Sequence, residues 1–276
     1  MRWARPCCTT SGCCDGKPVA PCLLALLLTA ALLPAQAGQQ CEDKPPSVQT
    51  ITRGMALADQ VSQALDASGA RVVVLARAGQ DLSKYQLRYS HLGFAYKTAQ
   101  GPWRVVHKLN QCGTAVSHVY RQGLGEFFLD DLWRYEAAWV VPTPAVQSAL
   151  LPLLQDGARL VPIHTPAYNM VAYAWGQKYQ QSNQWAIETL AAAMEPTSIR
   201  SRAQAQAWLQ FKAYTPSTLK LGPLTRLGGR VGSAHIAFDD HPPDKRFADR
   251  IDTVTVDSVF VWLQGAGLGA APVRLN

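Results

Sequence analysis

The run from Leu23 to Leu33 decides how much of this chain is left to fold. It carries no charge, and Thr29 is its one polar side chain. That length suits the apolar core of a signal peptide and falls short of the ~18 residues of a membrane helix. Pro34 follows, then Ala35-Gln36-Ala37, with small residues where a signal peptidase reads them. Arg2, Arg5 and Lys17 precede the run. Residues 1–37 are therefore expected to be a signal peptide cut after Ala37, giving a periplasmic or secreted protein. An uncleaved anchor is the alternative. Lipid attachment at Cys22 or Cys41 lacks the small apolar residues such processing needs before the Cys.

Removal of that segment leaves about 240 residues, enough for one sizeable core. The reading is a single domain over 38–264 and a flexible tail over 265–276. No later stretch is apolar enough to predict an integral membrane segment after signal removal. The formal charge of +7 drops by two with the segment, because Arg2, Arg5 and Lys17 outnumber Asp15. The remaining basic residues are scattered singly. That favours an envelope polymer as partner over nucleic acid. Of seven Cys, five lie in the segment, including the Cys7-Cys8 and Cys13-Cys14 pairs, which a misassigned start would also explain. Cys41 and Cys112 remain. In an oxidising compartment they are expected to be bridged, the alternative being a buried Cys112 and a free Cys41.

Periodicity predicts mixed elements without a βαβ rhythm, hence an α+β fold. Helices are expected at 54–67, with Leu57, Val61, Ala64 and Leu65 on one face, at 144–155, at 182–194 and at 202–214. The Ala-rich helix 182–194 is the clearest of them. Strands are expected at 71–76, 135–141, 232–238 and 252–263, with a hairpin over 88–97 and 103–109. Residues 38–52 read as an extended lead-in, 123–133 as a short amphipathic piece and 162–181 as an irregular aromatic connection.

Three constellations could carry chemistry. Ser90-His91-Leu92-Gly93 lies on one hairpin strand, His107 on the other, and Ser182 opens a helix. A nucleophile at a helix N-terminus finds backbone N–H donors for an oxyanion, and a base with an orienter completes the set. Ser is also an ordinary N-cap, and a strand His is more often a satisfied core residue. Asp239-Asp240-His241 with Asp244 could ligate a metal, but a stiff polar loop is the simpler reading, and neither a metal nor a cofactor is expected. Tyr168, Tyr173, Trp175, Tyr179 and Trp185 could wall a groove or pack a core.

The stretches 89–97 (YSHLGFAYK), 103–114 (WRVVHKLNQCGT), 125–144 and 168–193 resemble a family of secreted proteobacterial proteins of unknown function. More distantly, the chain resembles circularly permuted papain-like amidohydrolases of the NlpC type. In those, a strand motif like Ser90-His91-Leu92-Gly93 carries the catalytic His, and the next strand carries its orienter, here His107. A later helix opens with the catalytic Cys, where this chain has Ser182 within Tyr179-Gln180-Gln181-Ser182-Asn183. The resemblance implies an antiparallel sheet packed on helices, with 182–194 central. It implies a serine-dependent amidase or peptidase acting on cell-wall peptide or amide bonds, with Ser182, His91 and His107 catalytic and Tyr168, Tyr179, Asn183 and Trp185 around the ligand. Serine ionises far less readily than a thiol, so a non-catalytic papain-like binding module and an envelope assembly factor stand as alternatives.

Overall fold

The computed structural model describes residues 45–276 apart from Asp131, so residues 1–37 and Cys41 lie outside the described residues. Strand β1 (Val72–Ala78) organises the sheet, because all seven of its residues are buried. An antiparallel strand is buried at every residue only when both of its faces are covered. The strands beside it are β2 (His91–Lys97), β3 (Trp103–Asn110), β4 (Ser117–Gly123), β5 (Arg134–Val140) and, at the C-terminus, β8 (Val273–Leu275). They form a six-stranded antiparallel sheet of order β4-β3-β2-β1-β5-β8, with β1 in its interior.

Helices cover both faces. Helix α1 (Val48–Ala67) and the short α2 (Leu124–Leu129) pack Leu57, Val61, Leu65, Phe127 and Phe128 against Val73, Leu75, Ala95, Val105 and Trp139. The opposite face carries α3 (Pro144–Gln155), α4 (Ser182–Met194), α5 (Arg202–Phe211) and α8 (Val256–Gly265). There Val72, Val74, Leu92, Phe94, Tyr96 and Val106 meet Leu150, Trp185, Leu190, Leu209 and Leu263. The period-two alternation of the strands sorts these residues between the two cores. The architecture is thus α+β, an antiparallel sheet packed with helices.

A smaller substructure is inserted between α5 and α8. Strands β6 (Ser217–Lys220) and β7 (Arg250–Thr253) pair antiparallel. Between them lie α6 (Pro223–Gly232) and α7 (Pro243–Arg246), over a small cluster of Leu221, Phe238 and Ile251.

Several expectations need correction. Helix α1 starts at Val48, inside the expected extended lead-in, because Ser47 Oγ accepts the Thr50 N–H at 3.0 Å. Residues 232–238 are not a strand; Gly232 ends α6, and 233–238 follow it as a turn and irregular chain. The expected strand 252–263 is strand only to Thr253, then helix. Its β-branched residues suggested a strand, but Thr255 and Ser258 form a reciprocal cap, Ser258 N–H to Thr255 Oγ1 and Thr255 N–H to Ser258 Oγ, both at 3.1 Å. Val256, Val259, Phe260 and Leu263 then fall on one helical face. Residues 265–276, expected as a flexible tail, supply β8, which pairs Val273 with Trp139 and Leu275 with Ala137. Strand β4 escaped notice because a polar edge strand lacks an apolar alternation.

Trp185 is fully buried beside Phe94, ring centroids 6.1 Å apart, and its indole N–H has no partner among the described residues. Trp185→Ala should cost about 3–5 kcal/mol in urea unfolding. Trp185→Phe should cost much less, since it removes an unpaired donor while keeping an aromatic ring.

Candidate functional site

The Ser90-His91-Leu92-Gly93 motif sits at the start of β2, and its polar and small residues have distinct tasks. Ser90 Oγ accepts the Gly79 N–H at 2.9 Å and closes the β1–β2 connection. Gly93 leaves room for β3: a Cβ there would lie 2.8 Å from Val105 Cγ1 and 3.0 Å from His107 Cβ. His107 can therefore lean over β2 and reach His91, with Nε2 of His91 2.8 Å from Nδ1 of His107. His107 Nε2 lies 2.7 Å from Gln122 Oε1 on β4. An amide oxygen only accepts, so His107 carries its proton on Nε2 and accepts on Nδ1. His91 then donates from Nε2, and its Nδ1 is the unprotonated nitrogen.

The pair is closed in by Phe127 of α2, whose ring centroid is 5.9 Å from that of His91 and 5.1 Å from that of His107. Arg77, the register partner of His91 on β1, is also buried. It donates to Phe127 O and to the Asp130 carboxylate. Burial first, and the Arg77 charge second, hold both imidazoles neutral: His107 is lowered to about 4 and His91 well below its ordinary value.

Ser182 belongs to the other side of the sheet. It is buried at the start of α4, with its hydroxyl 3.5 Å from the Tyr168 hydroxyl. Tyr168 packs against His235, whose buried Nδ1 has no partner among the described residues. The side chain that joins α4 to the His strand is Asn183. Its Oδ1 accepts the Leu92 N–H at 2.9 Å, and its Nδ2 donates to Ser90 O and Val254 O, both at 3.3 Å. The helix thus grips the backbone on either side of His91, while the imidazole points to Phe127 on the opposite face. His91 and His107 are brought together; Ser182 is not brought to either.

The residues expected around a ligand are mostly packing groups. Trp185 and Tyr168 are buried, and Asn183 is consumed by backbone bonds. Tyr179 keeps partial exposure, with the Lys178 ammonium 5.0 Å from its ring centroid. The Asp239–His241 loop braces the aromatic connection: Asp240 Oδ2 accepts the Tyr173 N–H at 2.9 Å, His241 Nε2 donates to Val171 O at 2.8 Å, and Asp239 pairs with Lys178. Among the described residues, no three His, Cys, Asp or Glu side chains gather to hold a metal ion.

Sequence reasoning missed a buried charged network on the α4 side. Glu188, fully buried, pairs with Arg202 (Oε2 to Nε 2.8 Å) and accepts from Gln206 at 2.7 Å and Gln180 at 2.5 Å. Gln180 Oε1 accepts from Lys108 Nζ at 2.9 Å, and that ammonium also lies 3.3 Å from His164 Nδ1. Burial and then the Arg202 charge lower Lys108 to about 7. Burial raises the Glu188 carboxyl against the pull of Arg202. A visible signal was a lone Glu inside the run Trp185–Met194, where nothing else is charged.

These shifts set a pH dependence. An unfolded His binds its proton near 6.5, while native His107 and His164 do so near 4. Between those values the native chain binds fewer protons than the unfolded chain. The histidine contribution to stability is therefore complete above about pH 6.5 and is lost toward pH 4, with a slope of roughly 1.4 kcal/mol per pH unit for a fully buried imidazole; the raised Glu188 carboxyl acts in the opposite sense, and Lys108 acts above about pH 7. Urea unfolding across that range should show the decline, and His107→Gln should flatten it. An equal slope in the variant would mean that His107 is not held neutral.

Residues 64–263 match the sequence profile of a family described as an uncharacterized protein conserved in bacteria (DUF2145). No curated protein and no solved structure matches the chain. The match spans well over half of the sequence and takes in β1, the His pair, all of α4 and the buried Glu188–Arg202 network, so the chain belongs to that bacterial family.

Proposed function

We propose that this protein is an exported binding module of the bacterial envelope, built on a circularly permuted papain-like frame and lacking hydrolytic activity. The chain order supports the frame: the His strand β2, its neighbour β3, and later a helix that packs on both. The apolar run before Ala37 supports export. One observation carries the non-hydrolytic reading: the His91 imidazole is committed to His107 and Phe127, on the face opposite Ser182. A serine needs a base within about 2.6–3.2 Å to act as nucleophile. Tyr168, which its hydroxyl faces, is a phenol pushed still higher by burial, and is no base at neutral pH. This favours the binding module over the amidase that the motif order suggested.

Replacing Ser182 by Cys tests this directly. The new thiol should react with iodoacetamide slowly, because the site is buried and the one side chain its hydroxyl faces is the Tyr168 phenol, which is no base; the helix N-terminus alone does not supply a proton acceptor. The unaltered protein should resist a fluorophosphonate probe. Fast alkylation near neutral pH, or fluorophosphonate labelling that Ser182→Ala abolishes, would restore the hydrolase reading.

Export carries a second expectation. The secreted chain should begin at Gly38 or within a few residues of it, and Cys41 should be bridged to Cys112, which lies exposed in the β3–β4 turn. Such a bridge closes a loop of about 70 residues and contributes roughly 4 kcal/mol in the chain-entropy treatment. Peptide mapping without reduction should recover the linked pair. Full alkylation of both thiols in folded, oxidised protein would refute it.

A further inference from the structure

A cleft of about 470 Å³ opens where the approach to β2, helix α8 and the C-terminal segment meet. Arg88, Tyr89, Asp257, Phe260, Gln264 and Arg274 are among the residues that line it. Neither His91 nor His107 nor Ser182 is among its lining residues. Two polar atoms of these lining residues are orphans. The Tyr89 hydroxyl and Asp257 Oδ2 are both buried, and neither has a hydrogen-bond partner among the described residues. Leaving such a group unpaired is costly, so two among the residues of one cleft require an explanation.

The two orphans share one electrostatic environment. Burial raises the Asp257 carboxyl, while its own backbone N–H and Arg274 oppose that shift. Burial likewise raises the Tyr89 phenol; Arg88 and Arg274 oppose it, and Glu136 and Asp257 add to it. The two arginines differ in commitment. Arg88 is engaged, with Nε 2.5 Å from Glu136 and Nη2 2.8 Å from Asn276 Oδ1. Arg274 on β8 is exposed, and its guanidinium has no hydrogen bond or ion pair among the described residues. The cleft is therefore lined by a carboxyl with one unbonded oxygen, a phenol without a hydrogen-bond partner and a guanidinium without a hydrogen bond, with Phe260 among them.

We infer that this cleft binds a small zwitterion, the free amino-acid or short-peptide class, with the ligand's ammonium on Asp257 and its carboxylate on Arg274. The groups fit that class and fit others poorly. A simple anion would satisfy Arg274 but face Asp257; a simple cation would do the reverse. Planar guanidinium is well shaped to take a carboxylate with two parallel N–H donors. A cleft of this volume is in the range of small-ligand sites. This assignment depends neither on export nor on the state of Ser182, so it stands or fails separately from the binding-module reading.

The test uses the mature chain and the dipeptide alanyl-alanine, with saturation-transfer NMR and calorimetry as readouts. Saturable binding is expected at millimolar concentration or below. Capping the ammonium by N-acetylation, or the carboxylate as its amide, should each weaken binding at least tenfold. Asp257→Asn and Arg274→Gln should do the same, matched to the end they hold: Asp257→Asn should leave the N-acetyl form no weaker than before, and Arg274→Gln the amide form. Tyr89→Phe should leave the melting temperature of the free protein unchanged or higher, because it deletes an unpaired hydroxyl. No binding of the dipeptide, equal binding of the capped forms, or unchanged affinity in both charge variants would overturn the assignment.

Discussion

The grip of Asn183 on β2 is the contact on which the site geometry depends. Helix α4 is buried along nearly all of its length, so its position must be set by something more specific than apolar fit. One primary amide does this with three bonds, to Leu92 N–H, Ser90 O and Val254 O. Beside it, Gln181 donates to Thr253 Oγ1 at 2.7 Å and to Val254 O at 2.8 Å. The first turn of α4 is thereby stitched to β2 on one side and to the β7–α8 junction on the other.

The second half of α4 is anchored by charge. Glu188 and Arg202 are both buried, and such a pair gains little over an apolar replacement, because desolvation offsets most of the attraction. Losing one partner is another matter, since it strands the other charge at a cost of about 3–5 kcal/mol. The arrangement acts as a registry device: α4 and α5 have one alignment in which Glu188 finds Arg202 and Gln206 together. Arg202 also donates to Gly176 O and Gln177 O, so the irregular aromatic connection is tied to the same point.

Much of this fold was legible because its elements announce themselves through local patterns. The buried run Val72–Ala78, the hairpin strands, and the helices at 144–155 and 182–194 appear where apolar periodicity and proline placement put them. Failures fell where a local signal was masked. Val256–Gly265 is rich in β-branched and aromatic residues, and only the cap between Thr255 and Ser258 betrays a helix. Strand β8 follows a glycine-rich stretch, and its three residues gain order from pairing with β5 and from Leu275 packing against the α1-side core, long-range contacts with no local trace. The aromatic residues of 162–181 could be recognised as important; whether they formed a groove or a core was a tertiary question, and burial answers it.

The candidate site was half legible, and the reason lies in strand parity. Sequence could show that His91 and His107 lie on neighbouring strands, and the pair does meet. Which side of the sheet they occupy depends on a one-residue choice, because successive strand residues point to opposite faces. For His91 to face Ser182, β2 would have to slip by one position. That slip would move Leu92, Phe94 and Tyr96 out of the larger core, where all three are buried against α4 and its neighbours. Each such side chain contributes about 1.5–3 kcal/mol on burial, so the slip would forfeit roughly 5–9 kcal/mol. That is comparable to the whole stability of a typical domain. The slip would also bring a side chain to the place where Gly93 now admits His107, only 3.0 Å away. The apolar residues of β2 therefore dictate the face on which its histidine works, and they turn it toward Phe127 and away from the helix that carries Ser182.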